Sequence, residues 1–206
     1  MSRDPARGLA QFFGGRVCLD FANTLDWRLT TEPQELLSDY ATLLRWCRLR
    51  GVLPPAALDR MEVLARRQPE NAAKVLAEAR NLRSDFCQAA TALSAQPAAT
   101  VDLAPFNRRL GKLPAQPKLI PLDDAAAGYV HDLPGRDLAE PLWPVLWSWA
   151  ALMTSQDAAR LGSCQGQGCG WFFVDESPNH TRLWCSSEVC GNRERARRAY
   201  ARKRAK

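Results

Sequence analysis

Apolar residues recur every three to four positions along much of the first 110 residues, which is the period of an amphipathic helix. Helices are predicted over residues 38–50, from Pro54-Pro55 onwards, over 69–95 and over 101–110. Ser38 is the predicted cap of the first helix and Gly51 its end, because short polar side chains begin helices and glycine ends them. The N-terminal part of the chain is therefore expected to be mainly helical.

The pattern changes near the middle of the chain, where short apolar runs replace the helical period. Runs at 118–122 and 128–133, separated by the turn-like Asp123-Asp124, predict a β-hairpin. A further helix is predicted over 137–154, and its many large apolar side chains place it in the core. The fold class that follows is mainly α, with one small β-hairpin in the N-terminal domain.

Residues 14–25 mix apolar and polar positions, and they predict either a strand followed by a helix or a single helix after a glycine turn. Asp20 and Asn23 are three residues apart, so on a helix they share a face. Together with Arg16 they form a candidate pocket for a small ligand. The alternative is that these polar side chains cap a helix or bond to buried backbone, and we favour it because short polar side chains commonly do so.

The cysteines set the C-terminal part of the chain apart. Of seven, three stand singly among apolar residues and four form two C-x4-C pairs. Two such pairs with a hairpin-sized spacer are the usual plan of a structural zinc site with four thiolates, so one zinc ion per chain is predicted. The predicted ligands are Cys164, Cys169, Cys185 and Cys190.

Other uses of these thiols are open from the residues alone. Four thiolates also bind iron–sulfur clusters, His180 could replace one ligand, and disulfides would need an oxidising compartment. Zinc is favoured because four cysteines already complete its tetrahedral shell. Glycines at 166, 168 and 170 would let the backbone turn tightly enough for both thiols of the first pair to face one point.

The residues between the two pairs predict a second hairpin, with strands at 171–174 and 181–184. A serine at 186–187 is placed to cap a helix that continues to the basic end of the chain. Knuckle, hairpin and helix in this order form a treble-clef-like zinc finger. The chain is accordingly divided into a helical domain, residues 1–158, and a zinc finger with a basic C-terminal helix, residues 159–206.

Charge is concentrated at the C-terminal end. Residues 191–206 hold eight Lys or Arg and one Glu, a net charge of +7, whereas the other 190 residues have a net charge of −1. A basic helix suits nucleic-acid phosphates, and Arg193 and Arg197, one turn apart, are placed to reach base edges. The apolar stripe of this helix is predicted at Val189, Ala196, Ala199 and Tyr200. The predicted nucleic-acid contacts are Arg193, Arg195, Arg197, Arg198, Arg202, Lys203 and Arg204.

Several classes of protein are disfavoured by what the sequence lacks. No apolar run is long enough for a membrane helix, and no apolar leader follows the polar N-terminus, so we expect a cytoplasmic protein without a membrane partner. GxSxG, phosphate-loop, HExxH and dinucleotide motifs are absent, and the chain has only two histidines. We therefore expect a binding protein and no enzyme.

The cysteine module resembles a known finger. The run from Cys164 to Arg193, with Cys169-Gly-Trp-Phe-Phe-Val-Asp and the closing Cys190-Gly-Asn-Arg, is similar to the CGNR zinc finger. Residues 14–25 resemble the opening of the ABATE domain, which usually precedes that finger in bacterial proteins. The resemblance implies a bacterial stress-induced transcription regulator that holds zinc on the four cysteines, binds DNA and carries a helical regulatory or ligand-sensing domain.

The sequence therefore predicts a zinc-dependent DNA-binding regulator whose N-terminal domain senses a small-molecule effector or forms a homodimer. Duplex DNA is preferred over RNA because of the resemblance, since the charges alone do not distinguish the two. The first alternative is an RNA- or ribosome-associated protein that uses the same finger. The second is an enzyme that acts on a small molecule in the pocket of Arg16, Asp20 and Asn23.

Overall fold

The computed structural model describes residues 8–96, 98–113, 118–121 and 129–204, and most of them are helical. The helices are α1 (Val17–Ala22), α2 (Tyr40–Arg50), α3 (Pro55–Arg67), α4 (Pro69–Ala95), α5 (Ala104–Leu110), α6 (Trp143–Met153) and α7 (Asn192–Arg204). The antiparallel strand pairs are β1 (Leu25–Asp26) with β2 (Gln34–Glu35), β3 (Leu119–Pro121) with β4 (Tyr129–His131), and β5 (Leu161–Ser163) with β6 (Phe172–Val174). The predicted mainly helical fold class is confirmed.

Helix α2 has a different cap from the predicted one. The carboxylate of Asp39, rather than the hydroxyl of Ser38, accepts a hydrogen bond of 2.7 Å from the Thr42 amide. Ser38 Oγ lies 3.0 Å from the Thr42 hydroxyl instead. Gly51 ends the helix as predicted, with a φ of +66° that residues with a Cβ rarely adopt.

Helix α4 has the bounds that its apolar pattern predicts, and it forms the centre of the core. Phe86 near its middle is fully buried. Its ring contacts Phe21 of α1, Phe106 of α5 and Trp149 of α6. The core therefore forms where four helices bring large aromatic side chains to one point, and such rings contribute the largest buried areas of any side chains.

Helix α6 begins six residues later than predicted, at Trp143 rather than Asp137. The buried carboxylate of Glu140 accepts hydrogen bonds from the amides of residues 135–137, so the chain wraps around it and enters α6 through a 3-10 turn at Glu140–Leu142. Helix α6 is the apolar helix of the core but has only 11 residues. No helix in the described part of the chain is long and apolar enough to cross a membrane.

The predicted central hairpin is present as β3 and β4, which pair from Leu119–His131 to Pro121–Tyr129. Its predicted turn at 123–124 lies outside the described residues. Helix α5 is shorter than predicted and begins at Ala104. The carboxylate of Asp102, just before it, accepts a hydrogen bond from the Ala104 amide.

The hairpin of β5 and β6 joins the cysteine module to the helical body. Phe172 and Val174 of β6, with Leu161 of β5, are buried in the core of the helical body. Trp171 and Phe173 are buried on the other side, around the four cysteines. Alternate residues of one strand therefore belong to two cores, and the predicted boundary after residue 158 does not separate two independent cores.

Candidate metal centre and nucleic-acid interface

The four cysteines of the two C-x4-C pairs meet at one buried point. Their Sγ atoms all lie within 4.8 Å of one another, and each residue is at most 2% exposed. Cys185 Sγ lies 3.8 Å from Cys169 Sγ and 3.5 Å from Cys190 Sγ. Tetrahedral zinc with thiolates at about 2.3 Å requires sulfur–sulfur distances of about 3.8 Å, so the arrangement fits one zinc ion.

The electrostatics of the cluster also favour a cation once its thiols are ionised. The pKa of Cys164 lies far below its ordinary value because its thiolate accepts hydrogen bonds from Cys169, Cys185 and Cys190. The pKa of Cys185 lies far above its ordinary value because the other thiols hold its proton. Four thiols at this spacing cannot all ionise alone, and a bound zinc ion supplies the charge that stabilises four thiolates. Among the described residues, His180 is not part of the group of ligand atoms that come together here, and its Nδ1 lies 3.3 Å from the Asp175 carbonyl.

Residues 27–30, here called the clamp loop, hold the first cysteine pair from the side of the helical body. The Leu29 amide donates to the Gly168 carbonyl at 3.2 Å, and the Arg28 guanidinium donates to the Gly170 carbonyl. Gly168 and Gly170 have φ values of +77° and +66°. A Cβ on either residue would lie 2.6–2.7 Å from side chains of the clamp loop. Both positions therefore need glycine, because the φ is positive and because the clamp loop packs closely against the backbone.

The finger's strands differ from the prediction. Residues 171–174 were expected to pair with 181–184, but β6 pairs with β5, on the other side of the first cysteine pair. The segment around Arg182 is held in another way. The guanidinium of this residue donates to the carbonyls of Val174, Cys185 and Phe13, so a side chain holds this segment without a backbone ladder.

The helix that carries Cys190 begins as predicted, with the Ser186 hydroxyl accepting a hydrogen bond from the Val189 amide at 3.2 Å. A π-helical turn, Ser187–Gly191, carries Cys190 and continues directly into α7. The predicted apolar stripe is wrong for the outer part of this helix, because Ala196, Ala199 and Tyr200 are all exposed. From residue 195 to 204 every residue is exposed, so this part of α7 projects from the protein.

The predicted nucleic-acid residues fall into two groups. The first group is engaged within the protein. The Arg193 guanidinium lies 4.5 Å from the Trp27 ring centroid and donates to Cys190 Sγ at 3.4 Å, whereas Arg197 pairs with Glu194 at 2.7 Å. Arg195 donates to Asn192 and to the Ser187 carbonyl. The second group lies on the exposed outer turns of α7 and comprises Arg198, Arg202, Lys203 and Arg204.

The N-terminal motif folds as the second of its two predicted forms, a single helix after a glycine turn. Gly15 has a φ of +78°, and α1 follows it. Asp20 is buried and accepts the Gly14 amide and the Arg50 guanidinium, both at 2.8 Å. Burial raises the pKa of Asp20 above its ordinary value, while these two hydrogen bonds oppose the rise.

Asn23 and Arg16 also bond to groups of the protein. The Asn23 amide bridges the backbone of Phe172, donating to its carbonyl at 2.9 Å and accepting from its N–H at 2.8 Å. Arg16 pairs with Asp157 and Glu176. These contacts match the favoured alternative, buried hydrogen bonding for Asp20 and Asn23, and do not support the candidate ligand pocket.

Comparison with protein families agrees with this geometry. The model described as "CGNR zinc finger" matches residues 160–203, and the ABATE model, described as "Putative stress-induced transcription regulator", matches residues 15–156. The chain belongs to the ABATE family. A search of curated proteins finds no match to this ABATE-family protein. The resemblance in the sequence is confirmed for both parts and for their order, and the four cysteines are the zinc ligands of the finger.

Several residues of the ABATE protein's metal centre were missed by sequence reasoning. Trp27 and Arg28 precede the cysteine module by more than 130 residues, and no local pattern connects them with it. Glu194 had a signal, because it is the single acid in the basic end of the chain. Its buried carboxylate accepts the Gln167 amide at 3.0 Å, which joins α7 to the first cysteine pair.

Arg193 is predicted to support zinc directly. Arg193→Ala removes the hydrogen bond to Cys190 Sγ and the contact with Trp27. Loss of groups that orient a metal ligand lowers affinity by about 10–100-fold, and we expect a loss of that size in chelator competition. Arg198→Ala, on the exposed part of the same helix, is the control and should leave zinc affinity unchanged. Equal zinc affinity in both variants would contradict this role.

Glu194 is predicted to make the finger sensitive to acid. Hydrogen bonds from the Gln167 amide and then from Arg197 hold its pKa below the ordinary value of 4.5. A depressed carboxylate pKa adds stability above the unfolded-state pKa, and this stability is lost as the pH falls through the folded-state value. In urea unfolding at pH 7, the wild type should therefore have a larger free energy of unfolding than Glu194→Gln. This difference should shrink below about pH 4.3. A difference independent of pH would contradict the prediction.

Asn23 is predicted to stabilise the joint between α1 and β6. Asn23→Ala leaves the buried N–H and carbonyl of Phe172 without their partner, and unsatisfied buried groups cost about 1–3 kcal/mol. Thermal or urea unfolding measures the loss. Asn81→Ala on the exposed side of α4 is the control and should unfold like the wild type. An unchanged stability for Asn23→Ala would reopen the ligand-pocket interpretation.

Proposed function

We propose that this ABATE-family protein is a zinc-dependent DNA-binding transcription regulator. The observation that carries the proposal is the exposed end of α7, in which residues 195–204 project from a zinc-fixed base and carry six basic side chains. Ten helical residues span about 15 Å, and the major groove of B-DNA is about 12 Å wide. A basic helix of this length on a rigid base can enter the groove and contact phosphates at its edges.

Within the proposal, the basic residues have different roles. Arg193 and Arg197 are engaged with the metal centre and with Glu194, so they position the helix. Arg198 and Arg202 are one turn apart on the exposed part and face the same side. These two are the proposed base-contacting side chains, and Lys203 and Arg204 are proposed phosphate contacts.

The zinc centre serves this function by fixing where α7 starts. When zinc is bound it holds the four thiolates in one tetrahedron. Cys190 lies in the π-helical turn that leads into α7, and Glu194 ties the first turn of α7 to the Gln167 amide. The second cysteine pair, through Cys190, and the first pair, through the Gln167 amide, therefore both set the direction in which the basic residues of α7 project.

The helical body has a regulatory role in this proposal, either sensing a small-molecule effector or forming a homodimer. Its contacts with the clamp loop and with Phe172 give it a direct connection to the finger. We propose no catalytic activity for the protein, and we place it in the bacterial cytoplasm, where four thiols stay reduced and available to zinc.

Selection of nucleic acid from random pools tests the proposal. The zinc-loaded protein is incubated with a duplex DNA pool and an RNA pool of equal size, and the retained molecules are sequenced. Enrichment of a duplex DNA motif is the expected result. The variant with Arg198, Arg202, Lys203 and Arg204 all changed to Gln is the matched control and should enrich nothing. Enrichment from the RNA pool alone would replace the proposal with RNA binding.

A further inference from the structure

A groove beside the finger carries basic side chains that the proposed function does not use. It has a volume of about 690 Å³ and lies along one face of α4, at the level of the clamp loop. Arg80, Ser84, Cys87 and Thr91 follow one another at spacings of four, three and four residues, so they share that face. Arg28 of the clamp loop forms the opposite side.

Arg28 is a half-buried cation without a carboxylate partner among the described residues. Its guanidinium donates to the Gly170 carbonyl and, at 3.2 Å, to the Thr91 hydroxyl, and it lies 4.0 Å from the centroid of the Phe172 ring. Within the described ranges no carboxylate lies within 4.0 Å of it. Burial lowers the pKa of Arg28 below its ordinary value, while the nearby sulfurs of Cys87 and Cys169 oppose this change.

The guanidinium of Arg28 also has donors to spare. Of its five N–H groups, three are used by Gly170 and Thr91, and one on each terminal nitrogen has no acceptor among the described residues. A guanidinium N–H that is not bonded within the protein can donate to a carboxylate or a phosphate, and hydrogen bonds between charged groups are the stronger kind. Thr91 is exposed at the same place, so the guanidinium can be reached from solvent.

The other charged side chains of the groove do not neutralise the charge of Arg28. Arg83 is paired with Glu35, and Arg80 donates to the carbonyls of Leu37 and Ser38, with Glu35 3.5 Å away. Three arginines and one glutamate leave the groove with a net charge of +2. Leu25, Cys87 and Ala92 provide apolar surface beside these charges.

We propose that this groove binds a small organic anion, a carboxylate or phosphate carried on an apolar body, and that Arg28 is the residue that binds its charged group. The inference rests on the sensing role proposed above and gives it a site. The same guanidinium bonds the carbonyl of Gly170, next to zinc ligand Cys169. A bound anion would fix Arg28 in place without displacing that carbonyl, and so would hold the first cysteine pair more firmly.

The binding test uses zinc-loaded protein without nucleic acid. Benzoate and phenyl phosphate are titrated separately and followed by amide chemical shifts, with benzamide as the uncharged probe of similar shape. Benzoate, phenyl phosphate or both should change the amide chemical shifts of the clamp loop and of α4 around Thr91. The anion that binds more tightly identifies whether the site prefers a carboxylate or a phosphate. Benzamide should shift them little. Absence of saturable shifts with both anions would overturn the site.

Variants identify the binding residue. Arg28→Gln should weaken anion binding about tenfold or more, since hydrogen bonds to a charged group are lost, whereas Arg45→Gln on the exposed side of α2 should not. Thr91→Glu places a carboxylate beside Arg28 and should block the added anion while leaving the clamp loop in place. Asn81→Glu is its control on the same helix. If Arg28→Gln fails to fold, Thr91→Glu is the deciding variant. Anion binding by Thr91→Glu that is as tight as binding by the wild type would overturn the proposal.

Zinc transfer to a chelator measures the connection to the finger. A saturating amount of the bound anion should slow zinc release from the wild type and leave release from Thr91→Glu unchanged. Unaltered release from an anion-saturated wild type would overturn the connection. Because no nucleic acid is present in any of these measurements, failure here leaves DNA binding standing, and failure to bind DNA leaves the anion site standing.

Discussion

Changing Cys185 to Ser is expected to remove zinc from the protein and to unfold the finger. Cys185 is 1% exposed and its sulfur lies within 3.8 Å of two other ligands. Structural zinc contributes about 10–16 kcal/mol of apparent binding energy in small fingers, which is more than such a module gains from its own core. The wild type should hold one zinc ion per chain, and Cys185→Ser should hold close to none.

The loss should extend into the helical body. The sequence alone predicts that the helical body survives this change, because its core uses none of the four thiols. The structure shows that Phe172 and Val174 of the finger's hairpin are buried in that core, and that Asn23 bonds to Phe172. We therefore expect the body of Cys185→Ser to remain helical but to unfold at a lower temperature than the body of the zinc-loaded wild type.

Metal analysis measures the loss of zinc, and thermal unfolding followed by circular dichroism measures the loss of stability in the helical body. Cys87→Ser is the matched control, since Cys87 is a half-buried cysteine away from the metal, with its Sγ 3.7 Å from the Ala22 carbonyl. It should keep zinc and most of its stability. A reduced Cys185→Ser protein that still holds one zinc ion, or a wild type without zinc whose finger stays folded, would contradict the metal assignment.

Local signals in the sequence were sufficient for some elements. Helix α4 has its predicted bounds because Pro69 favours a helix start and the apolar period continues to Ala95 without interruption. The zinc ligands were predictable because metal geometry restricts which residues can bind and how they are spaced. Gly51 ended α2 as predicted, since its φ of +66° is a local property of the chain.

Contacts between distant residues were not predictable in this way. Ser38 and Asp39 are both good caps, and only the geometry of the turn chooses Asp39. The partner of β6 is β5, and residues 182–185 are held instead by hydrogen bonds from the Arg182 side chain. Asn23 could equally line a pocket or bond to backbone, and the choice depends on Phe172, 149 residues further along the chain.

Neutralising the outer basic residues of α7 is expected to have the largest effect on nucleic-acid binding. Each phosphate contact contributes a slope of about −0.9 to the dependence of log affinity on log salt concentration. Changing Lys203 and Arg204 to Gln should therefore flatten that slope by about two units. Changing Arg198 and Arg202 to Gln as well removes the proposed base contacts, each worth about 1–3 kcal/mol, so duplex DNA should be bound about a thousandfold more weakly near 0.1 M salt. Glutamine forms helices nearly as well as arginine, so α7 should persist.

This design separates binding from folding better than deletion of the basic end does. A cut before Arg193 would also remove the hydrogen bond to Cys190 and the buried Glu194, which ties α7 to the first cysteine pair. The loss of binding could then come from a damaged finger. The four neutralised side chains lie beyond these contacts, so the variant should retain one zinc ion.

A variant with four neutralised residues on the body controls for total charge. Arg45, Arg66, Arg67 and Lys74 are exposed on α2, α3 and α4, and changing all four to Gln removes the same charge away from the finger. If the effect depended only on net charge, both quadruple variants would lose affinity alike. We expect the body variant to keep most of the salt slope, because phosphates are contacted where α7 projects. Undiminished binding by the α7 variant would show that the basic helix is only a solvated surface.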